Sequence, residues 1–363
     1  MSNQQCMQKI ITVKIGSNVL AGADGLLNEA RMAHLVDQMV YLKNKGVKVL
    51  LVSSGAVASG RKLVQSNHPD PVAKRQLWAS VGQVKLIQLY SRLFGDQQVL
   101  CSQVLVTKED FRDRHHFLNI RTCLQTLLEH DIIPIINEND VVSVTELMFT
   151  DNDELAGLIA SMMNADEMII LSNVDGIYNG NPNDPASEVI PVIADDSTNA
   201  SKFITTKKSD FGRGGMITKY SMARKVAKAG IPVHLANGAT ENVLISVVEE
   251  NPALVHTCFT AGKKTSMIKK WLAYSELGTK GEIHINAGAK KGLLSDKATS
   301  LLLIGVTRIT GDFQKGDIVK ILDEGGVLVG FGKSQYNADT AIKKIGVKNT
   351  KPVIHYDYLY LNH

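Results

Sequence analysis

The stretch "FTDNDELAGLIASMMNADEMIILSNVDGIY", Phe149 to Tyr178, crowds Asp151, Asn152, Asp153 and Glu154 just ahead of an apolar helical pattern. An Asp there can cap the helix, because its carboxylate accepts from orphan amides and suits the positive end of the dipole. Capping accounts for one Asp, at most two. The remaining carboxylates can hold a cation, a substrate amine or a pair of lysines. Two lysines lie in loops with the right character. In "VKIGSN", Lys14 sits near a strand end with Gly16 and Ser17 at the turn, where small residues let backbone amides approach an anion. Taken alone, Lys14 reads first as a surface lysine at a strand end. "SSGAVASG" has the same character without a lysine. In "DFGRGGMITK", Gly212, Gly214 and Gly215 lead into a helix that carries Thr218 and Lys219 early, an anion site with an added full charge. It is not a Walker A motif.

Two lysines, Gly-rich loops and acidic loops, without a Ser-His-Asp or His-metal set, suit phosphoryl transfer. Its catalysis is mostly positioning and charge stabilisation. A carboxylate acceptor needs no general base, since a Glu side chain with a pKa near ~4.3 is already ionised at neutral pH. The difficulty is bringing two anions together, which lysines, amides and Mg²⁺ can solve. His115, His116 and His130 read as surface residues.

These loops must be positioned by a scaffold, and the pattern names it. "KIITVKIGS", "VKVLLVSSGAV", "QVLCSQVLVT", "IIPIINEND", "MIIL" and "IPVHLANG" read as buried strands alternating with helical segments. Near-continuous Val, Ile and Leu strands separated by helices predict an α/β fold with an open, mostly parallel sheet sandwiched by helices. The polar, Gly-rich loops then fall beyond the strand carboxyl ends, where ligands bind in such sheets. After about Val255 the pattern shifts to a basic "GKKTSMIKKW" and then to short strands with Gly turns, a small, mostly β, barrel-like second domain. The expected division is a catalytic domain over 1–258, a linker over 259–279 and the β domain over 280–363.

With 363 residues, 44% hydrophobic and 21% charged, the chain has the composition of an ordinary globular protein. No apolar run reaches the length of a membrane span and no signal peptide is visible, so a cytoplasmic location is expected. Cys6, Cys101, Cys123 and Cys258 form no C-x-x-C pair, which argues against a disulfide framework or zinc site, and Cys123 reads as a core residue. Residues 1–279 balance 28 basic against 28 acidic side chains, whereas 280–363 hold 12 and 8. A mildly basic tail permits nucleic-acid contact without establishing it.

Seven segments in order resemble the amino-acid kinase family, in its glutamate-phosphorylating branch with a C-terminal PUA domain. They are "VKIGSNVL" (Val13–Leu20), "LVSSGAVASGR" (Leu51–Arg61), "RQLWASVGQVKLIQLY" (Arg75–Tyr90), "RHHFLNIRTCL" (Arg114–Leu124), "IPIINENDVV" (Ile133–Val142), "FTDNDELAGLIA" (Phe149–Ala160) and "GRGGMITK" (Gly212–Lys219). The tail, with "AGAKKGLL" and "GDFQKGDIV", resembles the PUA part. The resemblance implies transfer of the ATP γ-phosphoryl group to the γ-carboxylate of L-glutamate, the first step of proline biosynthesis, with Mg²⁺ whose ligands it leaves open. It implies Lys14 and Lys219 as catalytic lysines held by Asp153, and Ser54, Asn137, Asp140 and Asn152 at glutamate. Asp140 would pair with the substrate ammonium, and the small Ser54 would leave its loop amides open to a carboxylate. Without the family, Asn137–Asp140 reads as an Asx turn. ATP would use Lys14, Ser172, Asn173 and the run Arg213, Gly214, Gly215, Met216, Ile217, Thr218 and Lys219. Asn173, where relatives commonly carry Asp, and Arg213, where they commonly carry Thr, put nucleotide affinity in question. Proline is implied as feedback inhibitor, a homo-oligomer (dimer or tetramer) as the assembly, and glutamyl phosphate reductase as a candidate partner. Acetylglutamate kinase, aspartokinase and uridylate kinase share the lysine and glycine loops, but "INEND", "TDNDEL" and a PUA-like tail together argue against each. An RNA-binding PUA protein is disfavoured by the balanced first domain and the lack of clustered aromatic and basic residues. Intact Lys14, Asp153 and Lys219 argue against a binding-only sensor.

Overall fold

A computed structural model describes residues 8–22, 24–143, 149, 151–182, 184–194, 215–263, 279–295, 299–348 and 350–361. Arg213, Gly214 and most of the basic segment before the tail lie outside the described residues. The chain divides into two compact units, Met1–Asp110 with Arg114–Lys264, and Thr265–His363 with Phe111–Asp113.

The first unit is an eight-stranded sheet. Its strands are β1 (Ile10–Ile15), β2 (Lys48–Ser53), β3 (Cys101–Val106), β4 (Ile133–Glu138), β5 (Glu167–Ser172), β6 (Val192–Ile193), β7 (Val233–Asn237) and β8 (Thr257–Phe259). They lie in the order β3-β4-β2-β1-β5-β7-β8-β6, and every pairing is parallel except that of β7 with β8. The central strands are buried on both faces, as their unbroken apolar runs require: β1 and β2 each leave only their first residue partly open. The helices are α1 (Ser17–Leu20), α2 (Glu29–Asn44), α3 (Ala56–Leu63), α4 (Pro71–Asp96), α5 (Lys108–Arg112), α6 (Arg114–Glu129), α7 (Asn152–Met163), α8 (Met216–Lys228) and α9 (Val243–Val248). From β1 the chain steps to β2 on one side, while β5 flanks β1 on the other. The crevice beyond their carboxyl ends is therefore a topological switch point, the place where open α/β sheets bind ligands.

Helix α7 is apolar all round because it is covered all round. Every residue from Leu155 to Met163 is buried against β1, β2, β4, β5 and neighbouring helices. Leu155 and Ile159, each 0% exposed, contribute roughly 2 kcal/mol apiece by burial. The helix stops at Asn164, whose left-handed φ of 53° an Asn tolerates. Between α3 and α4 two glycines permit backbone contact: a Cβ on Gly60 would lie 1.8 Å from the Trp78 carbonyl oxygen, and one on Gly82 1.8 Å from that of Ala56.

Cys123 corrects the expectation of a core residue, since it is exposed. The buried stripe of α6 runs through Phe117, Leu124 and Leu128. Cys123 is one residue, about 100° of helix turn, off that stripe. His115, His116 and His130 are exposed, as read from sequence.

The second unit holds β9 (Gly281–Ile285), β10 (Val306–Gly311), β11 (Ile318–Leu322), β12 (Leu328–Ser334) and β13 (Ile354–Leu361). They form a sheet in the order β10-β9-β11-β12-β13, with β9 and β11 parallel and the other neighbours antiparallel. Ile283, Phe313, Val319, Ile321 and Ile354 fill its own core. A bridge between Leu301 and Ile354 brings the chain entering β10 against β13. The sequence-based end of the first domain at 258 falls within β8, whose last residue Phe259 is buried.

Candidate active site

A cleft of about 970 Å³ opens at the switch point, and most sequence-derived candidates line it: Lys14, Ser54, Asn137, Asp140, Asn152, Asp153, Ser172, Asn173, Gly215, Met216 and Lys219. Its floor is ionic. Strand β1 delivers Lys14, α7 delivers Asp153 and α8 delivers Lys219. The Lys14 Nζ lies 2.5 Å from Asp153 Oδ1, and the Lys219 Nζ donates to Asp153 Oδ2 at 2.9 Å. Helices α7 and α8 reach this distance because Gly157 has no side chain; a Cβ there would meet Met222 Sδ at 2.5 Å.

Burial disfavours charge on all three groups, and the outcome differs for each. Asp153 is fully buried, yet the two lysines outweigh that cost and hold its carboxyl at about 2. For Lys14 burial prevails: together with the charge of Lys219 it lowers the pKa despite Asp153. Lys219 is less buried, and Asp153, assisted by Asp151, raises its pKa over the opposing effect of burial. One carboxylate thus has opposite net outcomes on two partners, because Lys14 is the more deeply buried and also feels the charge of Lys219.

The crowded carboxylates divide their tasks. Asp151 caps α7, its Oδ1 accepting from the amides of Asp153 at 2.9 Å and Glu154 at 3.1 Å. Burial and the neighbouring Asp153 charge push the Asp151 carboxyl up. Asp153 holds the lysines, and Glu154 pairs with Lys108 at 3.1 Å.

At the cleft the starts of α1, α3 and α8 carry no side-chain cap. Helix α8 begins behind Gly215 and α3 behind Gly55, whose φ of 108° favours glycine. Gly55, Ala56, Val57 and Ala58 all line the cleft. Free amides at a helix start attract anions. The Ser54 amide itself donates to the Ile15 carbonyl at 3.1 Å. The open amides of that loop belong to the residues after it.

Beside α3 lies a neutral network. The Asn152 Nδ2 donates toward the Ser53 carbonyl at 3.0 Å, Ser54 Oγ at 3.0 Å and Asn137 Oδ1 at 2.9 Å. The Asn137 Oδ1 also accepts from the Glu138 amide at 2.9 Å, and its Nδ2 donates to Gln83 Oε1 at 2.9 Å. Asp140 is paired with the Arg75 guanidinium, which also lies 3.8 Å from Glu138 Oε2. Its charge is therefore already matched by a protein cation.

On the opposite side, Ser172 is buried at the end of β5 and its carbonyl accepts from Gly238, while Asn173 is exposed at the cleft. Thr218 donates its hydroxyl to the Gly215 carbonyl at 2.8 Å, and Ile217 is exposed. Neither Ile217 nor Thr218 is among the lining residues, and Arg213 and Gly214 lie outside the described residues. Arg75, Trp78 and Gln83 were missed by sequence reasoning. They are polar or large residues on one long helix, and their pattern is that of any helix face.

The sequence profile of the amino acid kinase family matches residues 9–237, and that of the PUA domain matches 281–355. A glutamate 5-kinase of Bacteroides thetaiotaomicron is 51% identical over 356 residues, covering 97% of this chain and 98% of that protein. One of Chlorobaculum tepidum is 47% identical over 366 residues, covering 99% of each. A third, of Dictyoglomus thermophilum, is 38% identical over 348 residues, covering 95% of this chain and 92% of that protein.

Proposed function

From a chain that belongs to the amino acid kinase family, in its glutamate 5-kinase branch, we infer that the cleft transfers the γ-phosphoryl group of ATP to the γ-carboxylate of L-glutamate. The product is L-glutamyl 5-phosphate, and the step opens proline biosynthesis. The observation that carries the residue assignment is Asp153 between Lys14 and Lys219 on the cleft floor, with the α3 and α8 starts, free of side-chain caps, at the same cleft.

The acceptor carboxylate is already a nucleophile at neutral pH, so no proton need be removed. What opposes reaction is repulsion between two anions. Lys14 and Lys219 face the charge that spreads over the transferring phosphoryl oxygens, and their attraction grows toward the transition state. Asp153 offsets their mutual repulsion and fixes their spacing, leaving the trio with one net positive charge when all are ionised. We assign the α8 start, with Gly215, Met216, Ile217 and Thr218, and the Ser172-Asn173 loop to ATP, joined by Arg213 and Gly214. The amides at the α3 start suit the substrate α-carboxylate. Asn152, Asn137 and Asp140 surround the ammonium end, with Asp140 acting as one of a pair with Arg75.

Mg²⁺ belongs to this proposal as a companion of the nucleotide. Among the described residues no group of three or more His, Cys, Asp or Glu side chains converges to hold a metal. A cation carried mainly by phosphates and water needs no such cluster. When bound, it would neutralise phosphate charge.

A hydroxamate trap tests the reading. ATP and Mg²⁺ should convert L-glutamate to a trappable acyl phosphate, with aspartate and N-acetylglutamate poor; equal turnover of either would sink the assignment. Proline retains the α-carboxylate and ammonium of glutamate, so it should inhibit at the same subsite, and its effect should fade as glutamate rises. The acyl phosphate is labile, which favours consumption by a glutamyl phosphate reductase. A homo-oligomer in the cytoplasm completes the proposal; among the described residues, no helix is long and apolar enough to cross a membrane. We place the linker beyond β8 and its buried Phe259, so that the catalytic domain keeps that strand whole. A chain of residues 1–264 should fold and keep kcat within about tenfold, or ~1.4 kcal/mol in the barrier. A cooperatively melting fragment that makes no acyl phosphate would show that the tail completes the reaction.

A further inference from the structure

The neutral network beside α3 ends on a residue that does not line the cleft, Gln83 of α4. A primary amide has two hydrogens to donate and one oxygen to accept. The Asn152 Nδ2 faces three oxygens, so its nitrogen side is fully engaged, and the flipped amide would set oxygen against the Ser53 carbonyl and Asn137 Oδ1. Asn152 therefore keeps its Oδ1 for another donor, and among the described residues no donor reaches that atom.

Asn137 holds this arrangement by accepting two hydrogen bonds on its Oδ1. Its own nitrogen is buried, since the residue is 3% exposed, and its described acceptor is Gln83 Oε1. Gln83 in turn is placed by its neighbour. Gly82 packs against the α3 backbone so closely that a Cβ would lie 1.8 Å from Ala56 O and 2.5 Å from Gly60 N. Glycine at 82 thus fixes Gln83 relative to the same helix start that we assign to the substrate carboxylate.

We propose that Gln83 is a positioning residue for glutamate: as an obligatory acceptor it orients Asn137, which orients Asn152, which offers an oxygen to the substrate ammonium. The inference rests on the glutamate-binding assignment above. Its signature is a requirement for an acceptor at position 83, specific to glutamate and not to ATP. A carboxylate there can replace the amide, whereas an alkyl group cannot.

Steady-state kinetics on the full chain test this with Gln83→Leu and Gln83→Glu, each first checked for a cooperative melt. Gln83→Leu should raise KM for glutamate about tenfold, equivalent to ~1.4 kcal/mol, while kcat and KM for ATP stay within about twofold of the parent. Gln83→Glu should keep KM for glutamate within about threefold. If Gln83→Leu does not fold, Gln83→Met carries the same comparison. An unchanged KM for glutamate in the alkyl variant, a parallel rise for ATP, or equal damage from Gln83→Glu would each overturn the proposal. A parent chain that turns over another carboxylate in place of glutamate would instead overturn the substrate assignment, so the two failures are distinguishable.

Discussion

The two sides of the cleft solve different problems with different chemistry. The floor, Lys14, Asp153 and Lys219, is built from full charges buried together. The wall, Asn152 and Asn137 with Gln83 behind them, is built from neutral amides. Full charges act most strongly where charge moves during reaction, and a dry site amplifies them. Amides lack that strength but have polarity at fixed atoms, so they can read a ligand that carries both an ammonium and a carboxylate without repelling either end. The difference teaches that the floor should govern kcat and the wall KM for glutamate.

The largest expected effect tests the floor. Lys14→Ala or Lys219→Ala should lower kcat by on the order of 10² or more, as expected when charge stabilisation in the transition state is lost. Asp153→Asn should also lower kcat with a smaller change in KM. Wild-type kcat in any of the three would break the comparison. Next comes the wall. Asn152→Asp keeps the shape and removes the donors facing three oxygens, so KM for glutamate should rise about tenfold or more. A fall in kcat alone would place Asn152 with the floor instead.

A smaller effect sharpens the geometry. Gly157→Ala inserts a methyl group where α7 meets α8, close to Met222 Sδ and 3.0 Å from Val226 Cγ2. The thioether can give way, so we expect a kcat loss of only about threefold, from a slight displacement of Asp153 relative to Lys219. KM for glutamate should not move. A rise in that KM would mean α7 transmits strain to the wall.

The subtlest test is stability against pH. The Asp153 carboxyl sits at about 2 in the folded chain against an ordinary value of 3.8. The unfolded chain therefore binds the proton first, and the stabilisation from this group is complete above pH ~4 and lost as pH falls toward ~2. Urea melts across that window should show a steeper loss in the parent than in Asp153→Asn. Equal slopes would mean that the ion pairs do not favour the ionised form.

Some of the site was visible in residue types and local order. Lys14 follows a β-branched run, Asp153 stands at a helix start, and Lys219 follows a glycine lead; each carries its local signal within about ten residues. Gln83 and Arg75 gave none. On an amphipathic helix a polar residue facing a cleft and one facing water have the same period, and only the partner across the gap distinguishes them. Asp140 shows the same limit from the other side: the ammonium pairing that the resemblance implies gives no sign of Arg75, 65 residues earlier, which pairs with the same carboxylate. Cys123 was misread because one step along a helix turns a side chain by ~100°, which local apolarity does not resolve.

By itself the sequence determined the parallel sheet, the loops that would carry chemistry and the separate β-rich tail, because periodicity and turn chemistry act between residues close along the chain. Only the tertiary structure decided which carboxylate of "TDNDE" caps a helix and which binds lysines, and which amides remain open to an anion. Those choices depend on distances of a few ångströms between groups separated by 66 residues, as for Asp153 and Lys219. They are set by backbone contact at Gly82 and close helix packing at Gly157, where the absence of a side chain decides how near two helices come.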